Sequence, residues 1–237
     1  GLISIPLRWV QIRDRTLERM ESARSAAERD TAFRAVVGDR LRWGLSAAGY
    51  LEPKVFQHFQ RHGVELCSGF GMTEATGGIT MSPPGDYVPN SVGLPLPGIR
   101  VRLTEAGEMQ IAGAYVGRYL AEGGQAAECV PAEDGEWIST GDVFQMLERG
   151  HLSIVDRVKD IYKNDRGQTI APNRVERKFH GVPGIRRTFL VGDHRSYNVL
   201  LIVPDSADPV LQQAPDDESR REYFHQIVAA ANEDLAP

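Results

Sequence analysis

Residues 41–74 constrain the fold more tightly than any other stretch. Leu41-Arg42-Trp43-Gly44-Leu45 alternates as a strand, Ser46-Ala47-Ala48-Gly49 supplies a turn, and residues 52–62 read as a helix. Residues 64–67 form a second apolar strand that runs into a glycine-rich turn. Strand, turn, helix, strand, turn is the rhythm of an α/β layer, whose binding loops emerge at the carboxyl ends of strands. Upstream, Leu2-Ile3-Ser4-Ile5 reads as a core strand entered partway through a longer protein. Ser4 and Pro6 mark a helix start, and Trp9, Ile12, Met20, Ala23 and Ala27 then recur at near-helical spacing, with Arg24 and Glu28 placed to pair at i, i+4.

From residue 92 to 155 the pattern changes to short strands, at 101–103, 109–111 and 152–155, separated by Gly and Pro turns. A turn at 164–167, a helix from about Pro172, strands at 185–191 and 199–202, and a final helix near 218–232 form a separate α+β module. The expected fold class is therefore α/β, a layer followed by a small β-rich unit and then a small α+β domain, with the natural cut at 157–159.

The 237 residues suffice for one large domain, or a large and a small one. At 41% hydrophobic and 25% charged residues the chain is neither collagen-like nor disordered. No apolar stretch approaches the ~18 residues of a membrane span and no leader is evident, so a soluble, cytoplasmic protein is expected, with peripheral membrane contact left open. Twenty-seven basic against 32 acidic residues, a net charge of -5, repel phosphate backbones and argue against a nucleic-acid partner. Cys67 and Cys129 lie in no C-x-x-C or zinc-spaced cluster and read as buried or incidental thiols.

The densest chemistry is Ser68-Gly69-Phe70-Gly71-Met72-Thr73-Glu74, where glycines admit a ligand to the backbone and Thr73 and Glu74 set a hydroxyl beside a carboxylate. Phosphate plus a hard cation suits such a loop, with Glu74 as a Mg²⁺ ligand; an ordinary strand-to-helix turn is the alternative. Two rival patterns are weaker. Gly44-Leu45-Ser46-Ala47-Ala48 departs from a nucleophile elbow only at its last residue, with Asp193-His194 as the partners an α/β-hydrolase would need. His58 and His62 at i, i+4 could share a metal, but with no third ligand they read as surface histidines.

Gly69 to Glu74, Ser139-Thr140-Gly141-Asp142 and Asp156-Arg157-Val158-Lys159-Asp160, in that order and spacing, resemble the acyl-adenylate-forming enzymes: acyl-CoA synthetases, luciferases and peptide-synthetase adenylation domains. Ser46-Ala47-Ala48-Gly49-Tyr50-Leu51 is similar to that family's adenine-binding segment, and Ile170-Ala171-Pro172-Asn173-Arg174-Val175-Glu176 looks most like the long-chain fatty acyl-CoA synthetase branch. The resemblance implies part of a large adenylating domain over 1–157 and an incomplete, mobile carboxyl-terminal domain over 158–237. It implies ATP, Mg²⁺ and CoA as cofactors, a fatty or other carboxylic acid as substrate, and activation through acyl-AMP to acyl-CoA. It further implies Ala48, Gly49 and Phe70 against adenine with Ile154 on the opposite face, and Gly71 and Thr73 at the phosphates. Glu74 would hold Mg²⁺, Asp142 the ribose hydroxyls, Arg157 ribose or phosphate, and Lys159 would be the hinge.

Local departures stand out: Ala47 and Ala48 replace expected glycines, Gly49-Tyr50 an Ala-Pro step, and Phe70 the commoner tyrosine. The family's phosphate loop is not found before Ser46, and no lysine follows Lys178, where a catalytic lysine is expected. The chain alone is accordingly expected to be inactive, as a piece of a longer enzyme. A non-catalytic nucleotide-binding or interaction module and a fatty acyl-AMP ligase are the other readings.

Overall fold

The computed structural model describes residues 1–117, 130–132, 135–214 and 216–233. Cys129 and residues 234–237 lie outside the described residues. The chain divides into two compact units, Gly1–Ile154 and Val155–Pro237.

The first unit opens with β1 (Leu2–Ser4), α1 (Pro6–Met20), α2 (Ala26–Val37), β2 (Trp43–Ser46), α3 (Pro53–Arg61) and β3 (Glu65–Met72). Strand β2 pairs parallel with both β1 and β3, and its register sets Ser4, Ser46 and Ser68 in one row. Antiparallel strands β4 (Gly77–Met81) and β5 (Leu94–Pro95) complete the five-stranded sheet in the order β1-β2-β3-β4-β5. Trp9, Phe33, Val55, Phe59 and Leu66 fill the core beneath the helices, all of them 0% exposed. Trp9 meets Phe59 edge-on at 5.1 Å, and its indole N–H donates to the Leu45 carbonyl at 3.3 Å. Gly44 permits this seat, because a Cβ there would lie 2.3 Å from the indole.

The single helix expected over residues 6–28 is two helices. Ser25 caps α2 by accepting from the Glu28 N–H at 3.2 Å, and the Glu28 carboxylate accepts from the Arg24 backbone N–H at 2.6 Å. The Arg24–Glu28 spacing thus belongs to a cap, not to a pair along one helix face. The turn expected at 68–74 is also different: β3 continues through Met72, and only Thr73–Ala75 form a tight 3-10 turn. Its glycines serve close strand contact rather than a turn, since a Cβ on Gly71 would stand 1.9 Å from the Gly77 carbonyl oxygen, beside a register shift in β3–β4.

A second sheet follows, built from β6 (Ile99–Leu103), β7 (Glu108–Gly113), β8 (Val130–Ala132), β9 (Gly135–Met146) and β10 (Leu152–Arg157), in the order β10-β9-β7-β6 with β8 on β9. Its inner face joins Ile79, Ile99, Met109, Ile111, Phe144 and Leu152 in a second core.

In the second unit, β11 (Tyr162–Lys163) and β12 (Thr169–Ile170) form a hairpin before α4 (Pro172–Glu176). A further hairpin, β13 (Ile185–Val191) with β14 (Val199–Pro204), is followed by α5 (Pro209–Gln212) and α6 (Asp217–Glu233). Asp156 is 1% exposed and accepts from the Asn173 N–H at 2.9 Å, so a buried carboxylate fixes the first turn of α4. Among the described residues no helix is long and apolar enough to cross a membrane.

Candidate nucleotide site

The residues expected at adenine and phosphate leave the sheet side by side. Strand β2 ends at Ser46 and delivers Ala48 and Gly49, while its neighbour β3 passes Ser68 and delivers Phe70, Gly71, Thr73 and Glu74. Ala48 and Gly49 are exposed, as is Thr73, and Glu74 is half-buried in the 3-10 turn. Ala48 takes a left-handed conformation at φ 65, where a side chain is disfavoured and the resembling family has glycine. The Gly117 N–H donates to the Glu74 carbonyl at 2.6 Å and holds that turn.

Phe70 lies edge-on to Phe144 at 5.0 Å, and Phe70 and Ile154 both pack against the second core. The two residues expected on opposite faces of the base thus both touch this core. Asp142 is set by a bulge. Between Gln110↔Ser139 and Glu108↔Val143, β9 carries two more residues than β7, with Gly141 at φ 76. Thr140 Oγ1 donates to the Met109 carbonyl at 2.9 Å and accepts from the Asp142 N–H at 3.3 Å. The Gly141 N–H donates to Glu108 Oε1 at 3.2 Å, and Asp142, the next residue, is buried at 8% exposed.

Arg157 and Lys159 belong to the second unit, both exposed, at the end of β10 and in the turn over 158–160. The Asp160 N–H donates to the Arg157 carbonyl at 3.0 Å across that turn.

Neither rival pattern has the local surroundings it would need. Ser46 is 1% exposed with Oγ unpartnered among the described residues, while Asp193 and His194 pair at 3.6 Å in an exposed turn of the second unit. The histidines at 58 and 62 are not surface residues either. His58 Nε2 lies 2.7 Å from Thr16 Oγ1, and His62 stacks on Phe33 at 4.4 Å. Among the described residues no three His, Cys, Asp or Glu side chains cluster to hold a metal. Cys67 is buried, and burial, with Glu65 nearby, pushes its thiol up and away from reactivity.

One cluster was invisible in the sequence. His151, 0% exposed, lies between Ser91 and Asp86, residues 60 and 65 positions away along the chain. No local pattern announces such a contact.

The AMP-binding enzyme family matches residues 9–126. The chain is 33% identical over 183 residues to a fatty-acid–CoA ligase of Mycobacterium tuberculosis, covering 76% of this chain and 32% of that protein. It is 28% identical over 189 residues to long-chain-fatty-acid–CoA ligase 1 of Homo sapiens, covering 71% and 26%. The chain thus spans about a third or less of the curated relatives it matches. In fold it is similar to a benzoate CoA ligase from Burkholderia xenovorans, with a TM-score of 0.66 at 20% identity over 100% of this chain and 45% of that one. It is also similar to an O-succinylbenzoate coenzyme A synthetase from Bacillus subtilis in complex with ATP and magnesium ion, with a TM-score of 0.64 at 18% identity over 88% and 42%. With three ordered motifs, the fold and these relatives in agreement, the chain belongs to the AMP-binding, acyl-adenylate-forming enzyme family.

Proposed function

We propose that this chain is the nucleotide-handling part of an AMP-forming ligase that activates a carboxylic acid, a long-chain fatty acid in particular, and passes the acyl group to CoA. The observation that carries this reading is the delivery of Ala48–Gly49 and Phe70–Glu74 from the adjoining carboxyl ends of β2 and β3, with Phe70 and Ile154 on one core. The names of the curated relatives support the fatty acid and CoA, and the ATP and magnesium of the Bacillus subtilis synthetase support those ligands.

The donor set fits a nucleotide. Phe70 and Ile154 offer apolar surface to a flat base, and Asp142 offers an acceptor-only carboxylate to two ribose hydroxyls. Thr73 would donate to a phosphate oxygen and the Arg157 guanidinium would reach ribose or phosphate as a fixed fork. Glu74 would be the protein ligand of Mg²⁺, which supplies charge neutralisation at the phosphates. The work of these residues is to place the α-phosphate for in-line attack by the substrate carboxylate. We assign residues 1–157 to the large domain and 158–237 to a small one, with Lys159, in its exposed turn, as the pivot between adenylation and thioester formation.

Equilibrium binding of AMP to the 237-residue chain tests the site. Asp142→Asn keeps the shape and removes the charge, and a hydrogen bond to a charged group contributes roughly 1.5–3 kcal/mol, so affinity should fall about 10- to 100-fold. Binding unaffected by Asp142→Asn, or no binding at all, would overturn the reading.

A further inference from the structure

The loop over residues 82–93, between β4 and β5, touches both flanks of the proposed base site. At one end Tyr50, the residue after Gly49, donates its hydroxyl to Asn90 Oδ1 at 3.0 Å. Asn90 itself sits at φ 63, a left-handed conformation that asparagine tolerates better than most residues. At the other end Ser91 Oγ lies 2.8 Å from His151 Nδ1, and His151 Nε2 lies 3.0 Å from Asp86 Oδ2. The second oxygen of Asp86 pairs with Arg149 at 2.8 Å. Arg149 itself sits at φ 55, a left-handed conformation uncommon for a non-glycine residue.

Backbone bonds run alongside. The Val92 N–H donates to the Leu152 carbonyl at 2.8 Å, and the Leu152 N–H donates to the Gly93 carbonyl at 3.0 Å. These stitch the loop to the start of β10, two residues before Ile154. In its middle, Tyr87 stacks on Phe56 at 5.0 Å and Val88 is buried, so the loop is anchored rather than draped.

The proton order within the cluster follows from its acceptors. His151 and Arg149 hold the Asp86 carboxyl below the usual carboxylate range, so it is ionised and can only accept. Nε2 of His151 therefore carries the hydrogen. Ser91 Oγ accepts from the Gly93 N–H at 2.7 Å and keeps both a hydrogen and a second lone pair for Nδ1. Both ring nitrogens of His151 are thus engaged, in a chain of contacts that runs from the Gly93 N–H to Arg149. Ser91 is 4% exposed and its oxygen is occupied, so this serine–histidine–aspartate set fixes structure and attacks nothing.

We propose that loop 82–93 is a brace between the two flanks of the base site, and that His151, held by Ser91 and Asp86, is a positioning residue that fixes the Ile154 flank relative to the Gly49 flank. The proposal rests on the nucleotide reading above for its ligand, but not for its mechanics.

The test uses the full 237-residue chain with Tyr50→Phe, Ser91→Ala and the double variant. Tyr50→Phe removes one exposed hydroxyl and does not threaten folding. It should nevertheless speed amide hydrogen exchange at Val92 and Leu152 about threefold, while Met109 and Ile111 in β7 keep their rates. Nitrogen NMR of the His151 ring should show a hydrogen on Nε2. AMP affinity should fall roughly fivefold in either single variant and little further in the double, whereas their losses of thermal stability add. A role confined to stability predicts lower thermal stability with unchanged AMP affinity. Unchanged exchange in Tyr50→Phe, no hydrogen on Nε2, or AMP losses that are absent or additive would each overturn the brace. If Ser91→Ala does not fold, the exchange and ring measurements decide. Failure of the unsubstituted chain to bind AMP would overturn the nucleotide reading instead, with the exchange and ring results still judging the brace.

Discussion

Acid should weaken the helical core of the first unit through His58. Its Nε2 donates to Thr16 Oγ1 at 2.7 Å, while the Thr16 hydroxyl donates to the Arg13 carbonyl at 2.6 Å, an arrangement that suits a neutral ring. Burial, then His62, Arg13 and Arg61, lower its pKa from 6.5 to about 4. Because the folded ring resists the proton, the unfolded chain binds more protons between those two values, and stability rises with pH across that window. The contribution is fully present above pH 6.5, is lost as pH falls toward 4, and declines no further below that. At ~1.4 kcal/mol per pH unit the ceiling is about 3.5 kcal/mol; His58 is only partly buried, so solvent screening reduces this to roughly 1.5–2 kcal/mol. Urea unfolding at a series of pH values, followed by tryptophan fluorescence and compared with His58→Gln, isolates the effect from the carboxylates. The difference between the two proteins should grow as pH rises from 4.5 to 6.5 and then level, a window set by the two His58 values. A flat difference, or an NMR titration of His58 at or above its ordinary value, would refute the reasoning.

Two glycine-related predictions have opposite signs. Ala48→Gly should raise stability by about 0.5–1 kcal/mol, because release from a left-handed alanine is worth ~1–2 kcal/mol against ~0.5–1 kcal/mol of added chain entropy; a lower urea midpoint would contradict it. Gly71→Ala should cost roughly 2–3 kcal/mol in the same assay, since its Cβ meets the Gly77 backbone; a loss below about 0.5 kcal/mol would mean the strands separate freely.

The α/β layer was legible because two short apolar strands flank a helix within residues 41–67, and that rhythm admits few other folds. The acidic and hydroxyl residues proposed for the site come from ordered local motifs, and the structure sets Thr73 and Glu74 in one 3-10 turn. Three things were not legible. The break between α1 and α2 is hidden because a capping serine and glutamate share the spacing of a helical pair. The role of Gly69 and Gly71 was misread because a glycine that clears a neighbouring strand looks the same, in sequence, as one that permits a turn. The histidines at 58, 62 and 151 take their surroundings from other elements, Thr16 and Phe33 on α1 and α2, and Asp86 and Ser91 on a distant loop. Side-chain chemistry that depends on such tertiary neighbours leaves no periodic trace.

The parallel register of β1, β2 and β3 carries a cost in time. Leu2 finds its partner only at Gly44, across α1 and α2, and Leu45 meets Cys67 only across α3. By contrast, β6 and β7 close through the short turn at Thr104–Gly107, where the Gly107 N–H donates to the Thr104 carbonyl at 2.8 Å. Loop closure over long separations is slow, so the antiparallel meander is the natural seed and the parallel ladder the late arrival. The carboxyl ends of β2 and β3, where the base and phosphates are proposed to bind, are then shaped last.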